Sequence, residues 1–218
     1  SMIAMNKHLS KQLFIKNEVR TPNYFFLNRR DYLSVNLNNK IKKSKISFPI
    51  VVKPNDEGSS IGVKICHSFI SLKKEFKKLK KNYNNLIFEE YIPGKEIQVA
   101  VKGGKSIGAI ELRPKRKFYD YKAKYKKSAK TLHVMPAQII KKKYEEVKKI
   151  SELANRILKC KGITRCDFRF HNNKFFLLEV NTQPGMTSLS LVPEIAKYHK
   201  ISFVQLVEWM VKDSGINR

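Results

Sequence analysis

Acidic residues are scarce in this 218-residue chain, where 18 Asp and Glu stand against 45 Lys and Arg for a formal net charge of +27. An excess of that size attracts anions, whether a nucleic acid, an anionic membrane or a polyphosphate. Its distribution is diffuse, in short runs such as Lys73–Lys74, Lys77–Lys78, Lys80–Lys81, Lys126–Lys127 and Lys141–Lys143. Lysines spread that way are the ordinary solvated face of a helix, so no nucleic-acid partner is expected. Cysteine is scarce too. Cys66, Cys160 and Cys166 make no Cys-x-x-Cys pair, and their odd number gives no disulfide framework, which fits a reducing, cytoplasmic setting. No apolar run approaches the ~20 residues of a membrane helix, so no membrane partner is expected either. The opening Ser1-Met2-Ile3-Ala4-Met5 is too short and wrongly flanked for a signal peptide. It lacks Met at position 1, as a fragment or a processed chain would. A hydrophobic share of 42% nevertheless excludes a mainly disordered chain, and the length suffices for one large domain or two small lobes.

The pattern predicts a mixed α+β fold with mostly antiparallel strands. Residues 6–18 read as a helix, 24–27 as a short strand and 41–45 as a basic connector. An apolar strand over 48–53 runs into the loop 54–62, and a strand resumes over 61–65. Phe69, Leu72, Phe76 and Leu79 recur at helical spacing over 68–81, and 86–91 is strand-like up to Pro93-Gly94. A hairpin pairs 96–101 with 106–112 across Gly103-Gly104. The basic, tyrosine-rich stretch 114–136 reads as a long mobile loop, and such loops in compact domains are more often functional than idle. Helices are predicted over 144–158 and 203–211, with a hairpin over 163–181 between them.

That hairpin carries the most informative charges. Strand side chains alternate between faces, which puts Cys166, Phe168 and Phe170 with Phe176, Leu178 and Val180 on an apolar side. Arg165, Asp167, Arg169, Glu179 and Asn181 share the other side. A three-residue turn centred on Asn173 would set Asp167 opposite Glu179 and Arg165 opposite Asn181. Carboxylates that close repel unless a cation holds them, and hard oxygen donors of this kind suit Mg²⁺. Magnesium keeps few protein ligands, which implies a nucleotide alongside. The ordinary alternative is a solvated face with an Arg–Asp ion pair. Against that stands the tight turn Thr182-Gln183-Pro184-Gly185-Met186, placed directly after the donor strand.

Lys53 ends an apolar strand before a loop holding Gly58, Ser59, Ser60 and Gly62, whose N–H and hydroxyl groups can close over phosphate oxygens. The spacing is not that of a Walker A loop, and a Gly/Ser loop is as often a plain hairpin tip. Glu89-Glu90-Tyr91-Ile92 followed by Glu96 offers carboxylates and strand-edge backbone for an adenine amino group and ribose hydroxyls. An edge strand with exposed acids explains the same stretch equally well.

Five stretches, in one order, resemble the D-alanine–D-alanine ligase family. They are Met5-Asn6-Lys7; Val52-Lys53-Pro54 with Glu57-Gly58-Ser59-Ser60-Ile61-Gly62-Val63; Phe118-Tyr119-Asp120-Tyr121-Lys122-Ala123-Lys124-Tyr125; Arg165-Cys166-Asp167-Phe168; and Leu178 through Thr187. The resemblance implies an ATP-grasp fold in which two α+β lobes, residues 1–92 and 93–218, hold ATP between their sheets. It implies Lys7, Lys53 and Lys124 on the phosphates, with Ser59 and Ser60 in the loop above them. Glu89, Glu90, Tyr91 and Ile92 would line the adenine pocket, with Glu96 on the ribose and Phe118 on the base. Asp167, Glu179 and Asn181 would hold two Mg²⁺ ions, for which Mn²⁺ can substitute. Arg165 and the Gly185 amide would cradle the substrate oxyanion, Ser190 and Leu191 would meet the second substrate's carboxylate, and Tyr125 beside Ser59 would couple loop closure to the site. The activity implied is ATP-dependent joining of two D-alanines through an acyl phosphate, for peptidoglycan precursors; a homodimer is compatible with it.

Asn6 and Gln183 depart from the family pattern with little consequence. The larger departure is that family members carry a further N-terminal domain, which supplies a glutamate to the first D-alanine. Rival expectations are a ligase using D-lactate or D-serine, from which Lys124-Tyr125 argues away; another ATP-grasp carboxylate–amine ligase; and a non-catalytic nucleotide-binding remnant. The resemblance implies that these 218 residues bind ATP and Mg²⁺ but ligate poorly or not at all by themselves. Dipeptide synthesis assayed on the purified chain checks this, and a robust rate would contradict it.

Overall fold

The computed structural model describes residues 2–114, 131–187 and 189–215. Phe118, Lys124, Tyr125 and most of the predicted mobile loop lie outside them. Helices α1 (Met2–Met5) and α2 (Lys7–Lys16) lead to strand β1 (Tyr24–Asn28), helix α3 (Leu37–Lys43), β2 (Ile50–Pro54), β3 (Lys64–Cys66), α4 (Phe69–Asn82) and β4 (Asn85–Glu90). Strands β5 (Lys95–Lys102), β6 (Lys105–Arg113) and β7 (Leu132–Val134) follow, then α5 (Lys141–Ile157), β8 (Ile163–His171), β9 (Lys174–Asn181), α6 (Leu191–Tyr198) and α7 (Phe203–Asp213). Among the described residues no helix is long and apolar enough to cross a membrane.

Two antiparallel sheets result, one in the order β1-β4-β2-β3 and one in the order β7-β6-β5-β8-β9. In the smaller sheet Phe25, Leu27, Ile50, Val52, Leu86 and Phe88 face a core closed by Leu72, Phe76 and Leu79 of α4. Alternation turns Tyr24, Phe26, Val51, Lys53, Ile87 and Glu89 to the opposite face. Helix α2 covers part of that face, with the His8 ring stacked on Phe26 at 4.4 Å between centroids. Its buried Phe14 belongs instead to the core of the larger sheet, beside Val147 and Ala154 of α5 and Phe168 and Leu177 of the β8–β9 hairpin. Residues 2–16 therefore precede the smaller sheet in the chain but bind the two sheets together by packing.

Several elements differ from expectation. The stretch 41–45 is not simply a connector, because α3 begins at Leu37 with Asn36 capping it through the Asn39 N–H. Strand β7 falls inside the expected loop 114–136 and pairs with β6, Leu112 opposite His133. Helix α6 was hidden by Pro193, which the first turn of a helix tolerates because its N–H has no partner there. In the β8–β9 hairpin Asp167 pairs with Glu179 and Arg165 with Asn181, as expected, but by another route. His171 pairs with Lys174 across a two-residue turn in which Asn172 and Asn173 both have positive φ. A bulge then leaves Leu178 unpaired between Phe168↔Leu177 and Asp167↔Glu179, restoring the register. The bulge also changes phase: Phe175, Leu177 and Val180 are buried in the core, whereas Phe176 and Leu178 are not.

The two sheets join at Tyr91–Gly94. There Arg169 of β8 donates from Nε to the Ile92 carbonyl at 3.0 Å and from a terminal nitrogen to the Gly94 carbonyl at 2.9 Å. Gly94 has φ +92°, and a Cβ on it would lie 2.2 Å from the Phe170 carbonyl oxygen. Gly104, at φ +77°, would place its Cβ in open space. Gly94→Ala is therefore expected to cost more than the ~1–3 kcal/mol of backbone strain alone, and Gly104→Ala no more than that strain. Urea unfolding of the two variants checks the order.

Candidate active site

Helix α2 and the loop after β2 are fastened to each other. Asn55, buried, takes the His8 N–H on Oδ1 at 2.8 Å, while its carbonyl takes the Lys7 N–H at 3.3 Å. The Lys7 ammonium donates to the Glu57 carbonyl and lies 3.6 Å from Glu179 Oε2 on the larger sheet. Ser59 and Ser60 take φ values of 51° and 62°, a left-handed pair that folds the loop back over the space below. That space is two adjoining cavities. One, of about 410 Å³, is lined by Lys7, Val51, Lys53, Ser60, Glu89, Glu90, Tyr91, Ile92, Glu96, Leu112, Asp167, Leu178 and Glu179, among others. The other, of about 440 Å³, takes in Lys7, Ser59, Gln98, Arg165, Glu179, Asn181, Gly185, Ser190 and Leu191.

The first cavity divides by chemistry. Tyr91, Ile92, Leu112 and Leu178 offer apolar walls at the crossover end, and Leu178 stands there because the bulge released it from the core. Lys7 and Lys53 line the same cavity as Asp167 and Glu179, with Lys7 3.6 Å from Glu179. Glu96 accepts from Arg169 at 3.3 Å and from Gln98 Nε2 at 3.3 Å, so its carboxylate is held at the wall. Asp167, only 5% exposed, is forked by Arg165, Nε to Oδ1 at 2.7 Å and a terminal nitrogen to Oδ2 at 2.9 Å. Asn181 Oδ1 accepts the Gln183 N–H at 2.9 Å, which fixes the turn leading to Gly185. A Cβ at Gly185 would approach Ser190 Oγ to 2.7 Å, so a side chain there would make the Ser190 hydroxyl move. Ser190 Oγ in turn accepts the Thr187 N–H at 3.0 Å.

Glu89 has a different setting from the one sequence suggests. Its carboxylate does not stand free to read a base; it is buried between Lys53 Nζ at 2.8 Å and Lys11 Nζ at 3.1 Å. Burial would push this carboxyl up, but the two ammonium groups outweigh it and hold the group below its ordinary value of 4.5. Lys11 is fully buried, donates to Thr21 Oγ1 and lies 5.3 Å from the centre of the Tyr24 ring. Burial lowers its pKa to about 8, with Glu89 opposing the fall. Sequence reasoning missed Lys11, although its place four residues after Lys7 puts both on one helix face. It also gave no role to Arg169, which shares a strand face with Asp167, or to Leu178, which no alternation rule would expose.

Two antiparallel sheets closing on one cavity, lined by Lys7 and Lys53 and by acids of both sheets, among them Glu89, Asp167 and Glu179, define an ATP-grasp protein. A family model described as D-ala D-ala ligase C-terminus matches residues 13–212. The D-alanine–D-alanine ligase of Pelagibacter ubique is 53% identical over 218 residues, covering 100% of this chain and 70% of that protein. The chain belongs to the D-alanine–D-alanine ligase family. A Wolbachia pipientis D-alanine–D-alanine ligase is 42% identical over 98% of the chain, which spans 66% of that relative's length. The crystal structure of the Bacillus anthracis D-alanine–D-alanine ligase matches with a TM-score of 0.84 at 31% identity, over 97% of this chain and 67% of that one.

The Glu89 setting generates a pH prediction. Because its folded pKa lies below 4.5, its stabilisation is complete above that pH and is lost as pH falls through the folded value. Glu89→Gln leaves Lys11 buried without its counter-charge, at an expected cost of ~3–5 kcal/mol near neutrality. The Tm gap between wild type and variant, followed by circular dichroism from pH ~7 to ~3, should narrow on the acid side.

Proposed function

We propose that this chain supplies the nucleotide-binding and catalytic part of an enzyme that joins two D-alanines at the expense of ATP. What carries the reading is Lys7 and Lys53 facing Asp167 and Glu179 across the 410 Å³ cavity between the two sheets. The adenine would lie against Tyr91, Ile92, Leu112 and Leu178, with ribose hydroxyls at Glu96 and phosphates reaching Lys53, Lys7 and the Ser59–Ser60 loop. The relative from Bacillus anthracis also has a crystal structure described as complexed with ATP, which matches with a TM-score of 0.82 at 27% identity. The two lobes of the proposed clamp divide near residue 92, at the crossover that Arg169 holds.

The residues also fit magnesium. Among the described residues no three His, Cys, Asp or Glu side chains converge as a ready metal cage. The donor set is instead two carboxylates, Asp167 and Glu179, with the Asn181 amide one register step away. A sparse set of hard oxygens suits an ion that keeps phosphate and water oxygens for itself. Bound there, Mg²⁺ would neutralise phosphate charge during transfer. The chain's own groups do the rest. Lys7 and Lys53 orient the γ-phosphoryl group toward the first D-alanine carboxylate, which attacks phosphorus and releases ADP. The amine of the second D-alanine then attacks the acyl carbon and phosphate leaves, with Arg165 and the Gly185 N–H facing the oxyanion. Ser190 and the N–H groups that begin α6 receive that substrate's carboxylate. The free cysteines fit a reducing, cytoplasmic place of action.

Isothermal titration of the chain with ATP in Mg²⁺ should give saturable binding, with Kd within the ~1 μM–1 mM range of enzyme substrates. No binding would overturn the reading. Completed by the N-terminal domain that family members carry, the chain should release ADP with D-alanine and not with D-serine or D-lactate. In that completed enzyme Arg165→Met should lower kcat about 100-fold or more while ATP still binds.

A further inference from the structure

Lys11 is a cation that the cavity never meets. Its side chain is 1% exposed, against 9% for Lys53 and 3% for Glu89, and Lys53 and Glu89 line the cavity while Lys11 lies behind them. Burying an ammonium is costly, and a Lys53–Glu89 pair would be a complete ion pair without it. Such a pair would be neutral, with the Lys53 charge quenched by the carboxylate 2.8 Å away. Adding Lys11, 3.1 Å from the other carboxylate oxygen, gives two positive charges to one negative and leaves the cluster at +1. With its pKa near 8 the Lys11 amine is still a cation at neutral pH. Its placement is rigid: it is on the same helix face as Lys7, hydrogen-bonded to Thr21, and has the Tyr24 ring alongside.

We propose that Lys11 is a positioning residue for nucleotide binding: by sharing Glu89 it frees the Lys53 charge for the phosphates. It touches no substrate. Its effect passes through Glu89, so it acts on phosphate-bearing ligands and not on the nucleoside. This rests on the ATP reading above and adds to it how the Lys53 charge stays available although Glu89 lies 2.8 Å away.

The test compares ATP and adenosine binding by calorimetry in wild type, Lys11→Met, Lys11→Arg and the double variant Lys11→Met/Glu89→Gln. Lys11→Met brings the cluster to zero and should weaken ATP binding about tenfold, while adenosine binding changes less than about twofold. Lys11→Arg keeps the charge and should retain ATP binding. The double variant leaves Lys53 as the sole charge, +1 again, and should recover ATP affinity to within about threefold of wild type. A merely structural role predicts equal losses for ATP and adenosine in Lys11→Met, and that result overturns the proposal, as does undiminished ATP binding. Should Lys11→Met fail to fold, Lys11→Gln, which drops the charge and keeps a donor for Thr21, carries the same comparison. Wild type that binds no ATP would instead overturn the nucleotide reading itself, and this proposal with it.

Discussion

Opposite charges held on two separate sheets, close enough to share one cavity, are the constraint on which this structure depends. Each sheet has its own apolar core, and neither core needs the other to be filled. Helix α2 ties them by packing, and polar contacts add to it: Lys7 spans from the Glu57 carbonyl to Glu179, and Arg169 holds the crossover at Ile92 and Gly94. Such contacts are individually modest in water, and these are mostly only partly buried. The arrangement is specific in the sense that any shift between the sheets would strand a charge.

Helix α2 is the element where both demands meet. One side sends Phe14 into the larger core, and another lays Lys7, His8 and Lys11 over the polar face of the smaller sheet. A ten-residue helix is too short to be stable alone, so its helicity depends on these two contacts. The polar face it covers is not a core. Lys11 and Lys53 share Glu89, which leaves that cluster with one positive charge beside the cavity.

The β8–β9 hairpin shows how local irregularity serves chemistry. A regular pairing would bury every second residue and give the cavity only alternate side chains. The bulge at Leu178 lets two consecutive residues, apolar Leu178 and charged Glu179, reach the cavity. At the next turn Gly185 lies close enough to Ser190 that a Cβ would displace the Ser190 hydroxyl.

Much of this was legible in the residues. Strand alternation and turn residues gave every strand but β7, both hairpins of the larger sheet, the pairing of Asp167 with Glu179, and the grouping of the charged motifs, because period-2 patterning and hard oxygen donors are local properties. The route to that pairing was not legible, since a three-residue turn and a two-residue turn with a bulge give the same register at the site. Nor was the partner of Glu89: an acid on a strand says nothing about which helix will lie across it. Sequence alone determined the α+β class and the antiparallel strands, because these follow from composition and spacing. Only the tertiary structure decided that Lys11 lies under Lys53, that Leu178 faces the cavity and that α2 joins both sheets, because burial and charge pairing between distant segments depend on how the chain packs.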